Sequence, residues 1–143
     1  MSVRRIRAAV VVLLCLAGWA GWGAAADATP EAAAREAALA WLNLVDSGQY
    51  AESWTQAASL FRQRLSQTQW QSAVEGARTP FGALQSRHLQ SSTYRHELPG
   101  APDGDYVVLQ FATAFKGKAS ALETLTAMHD SDGRWRIAGY YIK

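Results

Sequence analysis

The sequence predicts an α+β protein, with an N-terminal signal helix and then three helices packed on a curved four-stranded antiparallel sheet (α-α-α-β-β-β-β). Residues 106–143 hold three segments of β-type composition separated by two short turns, which is typical of an antiparallel meander. Residues 30–78 instead repeat apolar side chains at helical spacing, between recognisable helix start and stop signals. These two patterns place the helices first and the sheet last.

The N-terminus has the three parts of a secretory signal peptide. Residues 4–7 supply basic side chains, residues 8–23 carry no charge, and three alanines at 24–26 provide a cleavage site. The apolar part is shorter than the roughly 20 residues of a membrane span. We therefore predict a signal peptide over 1–26, a single domain over 27–143, and a periplasmic or secreted protein.

Alternatives remain for this segment. Cleavage after Ala28 satisfies the small-residue rule as cleavage after Ala26 does. An uncleaved segment would make the protein a membrane-tethered accessory protein. A lipid anchor is not expected, since Leu14 rather than a small residue precedes Cys15, the only cysteine. The chain after cleavage has no thiol and forms no disulfide, so its stability comes from its core.

The charge balance gives no reason to expect nucleic acid as a partner. The whole chain has 14 basic and 12 acidic residues and a net charge of +2. Cleavage removes three arginines and leaves 11 basic residues against the 12 acidic ones, a charge of about −1. Membrane contact is expected only through the signal segment during export.

The first predicted helix begins at Thr29-Pro30 and ends at Asp46-Ser47-Gly48. Threonine offers an N-cap oxygen, and proline fits the first helical position. Gly48 can adopt the left-handed conformation that closes a helix. Apolar residues recur between these ends at the spacing of an amphipathic helix: Ala34, Ala37, Ala38, Trp41, Leu42 and Val45.

Two further helices are predicted before the sheet. The second runs from about Gln49 to Leu65, and its buried stripe is Tyr50, Trp54, Ala57, Ala58 and Phe61. The third is capped by Ser66, to which Gln69 reaches back in a capping box. It ends at Thr79-Pro80, because the residue before a proline resists helical angles. Its inward residues are Trp70, Ala73, Val74 and Ala77.

Four strands follow the helices. A polar strand over 86–98 leads into a Pro- and Gly-rich loop over 99–104, and the meander comes next. A turn at Lys116-Gly117 pairs Phe115 with Lys118, and a three-residue turn over 131–133 pairs Asp130 with Arg134. Gly133 takes the position of that turn that needs a positive φ.

Strict alternation from these turns assigns the side chains to two faces. The first face carries Val107, Leu109, Phe111, Phe115, Leu122, Thr124, Thr126, Met128, Tyr140 and Ile142. The second carries Tyr106, Val108, Gln110, Ala112, Ala114, Ala121, Glu123, Leu125, Ala127, His129, Trp135, Ile137 and Tyr141. Three helices cover only one of these half-apolar faces. Either the sheet curls to enclose both, or one face meets a protein partner or a second copy of the chain.

The ordered motifs resemble a bacterial family known only as the domain of unknown function numbered four thousand and nineteen, from about Ala37 to Lys143. The resemblance rests on Trp41-Leu42, Asp46-Ser47-Gly48, Tyr50, Ser53-Trp54, Trp70, Arg78, Pro80, Gly82, Arg87, Leu98-Pro99-Gly100, Gly104-Asp105-Tyr106-Val107, Glu123-Thr124, Gly133, Trp135-Arg136 and Gly139-Tyr140-Tyr141. The family is more remotely similar to the cone-shaped α+β rolls of the nuclear-transport-factor-two-like class. The resemblance implies a roll-like fold and export, and it brings no catalytic residue.

One ligand pocket is predicted from the register. Gln110 and Glu123 are cross-strand neighbours there, and the small side chains around them suit a pocket floor. The candidate walls are Trp54 on the second helix together with Tyr106, Trp135 and Tyr141. A carboxylate among apolar side chains suits proton transfer, so Glu123 is the candidate acid/base of a small pocket enzyme. The favoured alternative pairs Glu123 with Lys118 or Arg136 on a solvated face.

Other polar residues point to structure rather than chemistry. His88 and His96 share one strand face but lie roughly 26 Å apart, too far for one metal. Arg78 and Arg87 flank the corner at 80–82, and we expect them to tie helix to sheet. Phosphate-binding, nucleophile-elbow and zinc motifs are absent from the sequence.

The sequence therefore favours an exported, non-enzymatic binding or interaction module of unknown function. Its partner is a small ligand or a protein, with a homodimer among the options, and no cofactor or metal is expected. The pocket enzyme and the membrane-tethered accessory protein remain the alternatives.

Overall fold

A computed structural model describes residues 28–143, so the predicted signal peptide over 1–26 lies outside the described residues. The elements are α1 Pro30–Asp46, α2 Tyr50–Gln56, α3 Ser59–Arg64, α4 Gln67–Arg78, a 3₁₀ turn Thr79–Phe81, β1 Leu84–Arg95, β2 Tyr106–Phe115, β3 Lys118–His129 and β4 Trp135–Ile142. The strands form one antiparallel sheet in the order β1-β2-β3-β4. The predicted α+β class and the order of helices before strands are confirmed. Within residues 28–143, no helix is long and apolar enough to span a membrane.

Local signals set the ends of α1 and α4 as the sequence predicts. The Thr29 hydroxyl accepts a hydrogen bond from the Ala32 N–H at 3.2 Å, and Pro30 is the first helical residue. Gly48 follows α1 with φ of 74°. Ser66 and Gln69 form a reciprocal capping box at the start of α4.

The single helix predicted over 49–65 is wrong, because the segment contains two helices separated by extended residues. Ala57 and Ala58 have ψ of 163° and 153°. The Ala58 N–H donates to the Ile137 carbonyl of β4 at 2.8 Å. The Asp130 carboxylate then accepts from both the backbone N–H and the hydroxyl of Ser59, each at 2.7 Å. Partners far away in the sequence thus end one helix and start the next, giving four helices instead of three.

Asp130→Ala tests this long-range cap. We expect it to lower the free energy of unfolding by about 2 kcal/mol, since it removes an N-cap and leaves two partly buried donors of Ser59 unpaired. Urea unfolding followed by circular dichroism measures the loss. The matched control is Asp132→Ala in the same turn, which removes an exposed ion pair with Arg136 and an exposed hydrogen bond from the Arg134 N–H. Equal losses in the two variants would contradict the role of Asp130.

The helices cover one face of the sheet and form the core with it. The buried apolar side chains of this core are Ala34, Ala38, Trp41, Leu42, Val45, Ala57, Phe61, Trp70, Val74, Val107, Leu109, Phe111, Leu125, Ala127 and Ile137. An aromatic cluster lies at its centre, where the Trp41 ring is 5.5 Å from both Trp70 and Tyr140, and Phe61 is 5.0 Å from Trp70. In α4, Arg78 rather than Ala73 or Ala77 points inward with Trp70 and Val74.

Both predicted turns are confirmed, but the predicted faces are wrong because β-bulges interrupt the alternation. Phe115 pairs with Lys118, and the Asp130 N–H donates to the Arg134 carbonyl at 2.8 Å. Ala119 and Ser120 together oppose Ala114, which shifts the rest of β3 by one residue.

Glu123 consequently pairs with Phe111, while Gln110 pairs with Thr124. Glu123, Leu125 and Ala127 are buried on the helix-covered face, whereas Gln110 lies on the other face. In β4 a bulge at Ala138 has the same effect, so Ile137 and Tyr140 both face the helices.

The face away from the helices mixes small and polar side chains with the half-buried apolar Val108, Leu122 and Met128. Within residues 28–143, only Tyr141 (63%) and Leu84 (37%) are exposed large apolar side chains. Tyr106 is buried on this outer face because the loop over 96–105 folds onto it, with the Tyr106 hydroxyl donating to the Pro102 carbonyl at 2.6 Å. Much of the apolar surface on this face is thus only partly exposed, and the homodimer stays a prediction.

Candidate functional site

The structure contains two kinds of candidate site: a buried charge network and grooves at the surface. The network joins Asp46 at the end of α1, Arg78 at the end of α4, Arg87 on β1 and Glu123 on β3. Their side chains are 14%, 6%, 7% and 0% exposed, respectively. Two positive and two negative groups balance each other beneath the helices.

Arg87 is the centre of this network. Its Nη1 and Nη2 donate to the two Asp46 oxygens at 2.7 and 2.9 Å, and its Nε donates to Glu123 Oε1 at 2.7 Å. Glu123 also accepts hydrogen bonds from the Thr113 hydroxyl at 2.7 Å and the Tyr140 hydroxyl at 2.5 Å. Both oxygens of Glu123 are thus engaged, which satisfies a charge that would be costly to bury alone.

Arg78 Nη2 donates to Asp46 Oδ1 at 2.7 Å, an oxygen that it shares with Arg87 Nη2, and its guanidinium lies 4.7 Å above the Phe115 ring. The expectation that Arg78 and Arg87 tie helix to sheet is confirmed by these contacts. Both suggested partners of Glu123 are wrong, since Arg136 pairs with Asp132 and the cation beside Glu123 is Arg87. The network is therefore a structural brace between α1, α4 and the sheet.

The charges in the network shift one another's pKa values. Burial opposes ionisation of Asp46, but the hydrogen bonds from Arg87 and Arg78 outweigh it and hold the pKa below its ordinary value of 3.8. Burial would lower the pKa of Arg87, yet its bonds to Asp46 and Glu123 raise it well above the ordinary value. Burial, with the adjacent Glu123 charge, raises the pKa of Tyr140. Asp46 and Arg87 therefore stay ionised and Tyr140 stays neutral at physiological pH.

The lowered pKa of Asp46 predicts how stability changes in acid. A carboxyl whose pKa is lower in the folded state stabilises the protein above its unfolded value, and this contribution is lost as pH falls through the folded value. We expect the unfolding midpoint of the wild type to fall as pH decreases below about 4. Asp46→Asn should be less stable at neutral pH and should lose less on acidification, in urea unfolding at a series of pH values. Asp103→Asn, in an exposed loop, should keep the wild-type slope.

The structure does not bring the predicted pocket residues together. Trp54 is half-buried, with its Nε1 donating to the Leu65 carbonyl at 2.8 Å. Glu123 is buried on the helix-covered face and lines none of the three grooves found among residues 28–143. Tyr106, Gln110 and Tyr141 lie on the outer face, and Trp135 lines a groove beside α1. The predicted grouping is wrong because the β3 bulge reverses the side to which Glu123 points.

The first groove lies between α1, α2 and the start of β4, and we name it the α1–β4 groove. It has a volume of about 400 Å³. Its floor and walls are apolar: Ala37, Ala40, Trp41, Leu44, Trp135 and Ile137. Charged side chains of Glu52, Arg134 and Arg136 stand at its rim. An apolar cleft with a few charged groups at the edge has the composition of a small-ligand site.

The rim arginines differ in their availability. Arg136 is held by the Asp132 carboxylate, with Nε at 2.9 Å and Nη2 at 2.6 Å, and it also donates to the Gln56 carbonyl. The Arg134 guanidinium makes no hydrogen bond or ion pair with any of residues 28–143. Arg134 is thus the one rim cation with all of its donors open to a ligand.

Sequence reasoning named Trp135 but missed Arg134, Asp46 and Tyr140 as members of these sites. Asp46 had a usable signal, since a carboxylate in the last turn of a helix opposes the helix dipole and so needs a cation nearby. Arg134 gave no such signal in the sequence, where it marks only the residue after a turn. Within residues 28–143, no group of three or more His, Cys, Asp or Glu side chains is arranged to hold a metal.

A family model described as "Protein of unknown function (DUF4019)" matches residues 37–140. No curated protein and no solved structure matches the chain. The match covers every residue of the buried network and all ten residues that line the α1–β4 groove. The remoter likeness to nuclear-transport-factor-two-like rolls stays a prediction.

Proposed function

Since the chain belongs to the DUF4019 family, whose proteins are of unknown function, we propose a role from its own geometry. It is an exported, non-enzymatic binding module that takes a small amphipathic ligand in the α1–β4 groove. The observation that supports this most is the groove itself, an apolar cleft of about 400 Å³ with one uncommitted arginine at its rim.

The lining of the groove defines the ligand. The half-buried Trp135 offers aromatic surface, Trp41 presents only the edge of a ring that is 4% exposed, and Ala37 and Ala40 leave room because their side chains are small. An apolar or aromatic body fits this floor, since its transfer from water is favourable. An anionic end fits Arg134, because a guanidinium binds carboxylates and similar groups with paired hydrogen bonds. The proposed ligand therefore combines an apolar body with one acidic group.

The side chains that line the α1–β4 groove suit ligand binding better than catalysis. The groove brings together Glu52 and two arginines, and the Glu52 carboxylate accepts a bond from the Gln56 amide at 2.8 Å. A nucleophile with an adjacent base is not found along its lining. The acid/base candidate Glu123 is bonded to Arg87, Thr113 and Tyr140 within the core. Neither place holds a group ready to exchange a proton with a ligand.

Anilinonaphthalene sulfonate is a suitable first probe, because it joins an aromatic body to an anionic group. We expect its fluorescence to rise on binding to the folded protein and to follow a single-site curve. Ala40→Trp fills the groove and should weaken binding at least about tenfold. Ala73→Trp, at an exposed position of α4, is the matched control and should bind as the wild type does.

Arg134→Gln tests the anionic end separately. It should weaken the sulfonate probe several-fold but leave an uncharged naphthalene probe unaffected. Arg62→Gln, an exposed arginine of α3, is its control. Unchanged binding in both Ala40→Trp and Arg134→Gln would refute the proposed site.

Export is the second part of the proposal, and it rests on residues 1–26 of the sequence. N-terminal sequencing of the protein recovered from outside the cytoplasm should begin at Asp27, or at Thr29 if cleavage follows Ala28. An N-terminus that starts at Met1 in the membrane fraction would instead favour the tethered accessory protein.

A further inference from the structure

We propose that the outer face of the sheet is a second binding site, specific for a neutral polyhydroxylated ligand of the short-oligosaccharide class. The site runs from a groove beneath the loop over 96–104 to the exposed ring of Tyr141. It is independent of the α1–β4 groove, because it uses the opposite side of the sheet.

One row of polar side chains crosses all four strands on this face. Ser91 pairs with Gln110, Gln110 with Thr124, and Thr124 with Tyr141. Neighbouring strands lie about 4.8 Å apart, so the row is roughly 14 Å long. That length suits an extended chain of sugar rings better than a single small molecule.

The groove at the β1 end of the row has a volume of about 510 Å³. Its lining is Ser91, Thr93, Arg95, Glu97, Gln110 and the apolar Leu98, Pro99 and Val108. The loop above it is held in place, since Arg64 donates to the Gly100 carbonyl and the Gly104 N–H donates to the His96 carbonyl at 3.1 Å. The groove is therefore formed before any ligand arrives, which lowers the entropy cost of binding.

Most polar side chains of this site make no hydrogen bond within the described part of the protein. Within residues 28–143, the side chains of Thr93, Arg95 and Glu97 make no hydrogen bond, and the Gln110 amide only accepts one, from Ser91 at 3.2 Å. The Gln110 N–H₂ group and the hydroxyls at the other end of the row thus remain free. The site offers donors and acceptors together, as hydroxyl groups of a ligand require, since each hydroxyl both donates and accepts.

The charges and the aromatic ring narrow the ligand class. Arg95 and Glu97 carry opposite charges in the same groove, so the site has no net preference for an ion. Tyr141 is 63% exposed, and such a ring on the face of a sheet offers a platform for the C–H face of a sugar. The other large apolar side chains of the sheet on this face, Val108, Leu122 and Met128, are half-buried rather than exposed, which makes a protein partner the weaker fit.

An extended peptide would need a free strand edge rather than the face of the sheet. The free edge of β1 is interrupted by bulges at Gln85 and Gln90, which hinder the addition of another strand. A sugar chain lying across the strands meets neither obstacle.

Titration of the full chain with three trisaccharides tests the proposal, with ¹⁵N-resolved NMR as the readout. Maltotriose, cellotriose and the trisaccharide of N-acetylglucosamine distinguish plain glucans from amino-sugar polymers. We expect at least one of them to shift the amide signals of Gln110, Thr124 and Tyr141 together. Tyr141→Ala should weaken that binding about tenfold or more, whereas Tyr141→Phe should retain it.

Leu84→Ala is the matched control, since it removes the other exposed large apolar side chain and should leave binding unchanged. The proposal is overturned if no trisaccharide shifts these signals at about 10 mM. It is equally overturned if Tyr141→Ala binds as well as the wild type, or if a mixed-charge peptide shifts the row and the sugars do not. None of these outcomes depends on the sulfonate probe. The proposals for the α1–β4 groove and for the outer face of the sheet are therefore tested independently.

Discussion

Arg87→Met is expected to lower the free energy of unfolding by about 3–5 kcal/mol, the range for removing one partner of a buried ion pair. Methionine preserves much of the length of the side chain, so the loss reports on charge rather than on packing. The variant leaves Glu123 fully buried with only the hydroxyls of Thr113 and Tyr140 beside it. Asp46 keeps Arg78, so Glu123 is the group that bears most of the penalty.

Arg95→Met is the matched control for this variant, because it removes an exposed arginine from the same strand. Its effect should stay within about 0.5 kcal/mol. Urea unfolding followed by tryptophan fluorescence measures both variants. A loss below about 1 kcal/mol for Arg87→Met would show that the network does not brace the fold.

The double variant Arg87→Met/Glu123→Leu separates charge from packing. Apolar residues that replace a buried pair are often neutral or stabilising, whereas a single unpaired charge is not. We therefore expect the double variant to be more stable than Arg87→Met alone. A double variant that is less stable than either single variant would contradict the view that the unpaired carboxylate is the source of the loss.

Trp70→Ala should lower the free energy of unfolding by about 3–5 kcal/mol through the cavity that it leaves. Trp70 packs against Trp41, Phe61 and Tyr140, with ring centres between 5.0 and 6.2 Å away. Its Nε1 also donates to the buried Ser53 hydroxyl at 2.9 Å. Chemical unfolding with an unchanged urea dependence would show that the native state, rather than the unfolded chain, is affected.

Trp70→Phe separates the contribution of ring packing from that of the hydrogen bond to Ser53. Phenylalanine keeps an aromatic ring in the cluster but removes the hydrogen bond to Ser53, so we expect a loss of about 1–3 kcal/mol. Equal losses for the alanine and phenylalanine variants would mean that the hydrogen bond, not the ring packing, sets the stability of this cluster.

The candidate sites show why the sequence predicted the fold more completely than it predicted the residues of a functional site. Trp135 and the stripe of α1 that contains Trp41 were named from pattern, yet the groove they line depends on how α1 meets β4. The buried network joins residues between 46 and 140, and nothing in their spacing indicates that they meet. The sequence suggested only that Arg78 and Arg87 tie helix to sheet and that Asp46, a carboxylate at the negative end of a helix dipole, needs a cation nearby.

The sequence by itself determined the α+β class, the element order, the caps of α1 and α4 and both turns of the meander. These features depend on side chains within a few residues of one another, such as Ser66 with Gln69. Only the tertiary structure decided where the second helix breaks, which face Glu123 occupies and which cation meets it. A contact such as that of Ser59 with Asp130 joins distant parts of the chain. Its energy exceeds the local preference for a continuous helix, and it exists only once the sheet has formed.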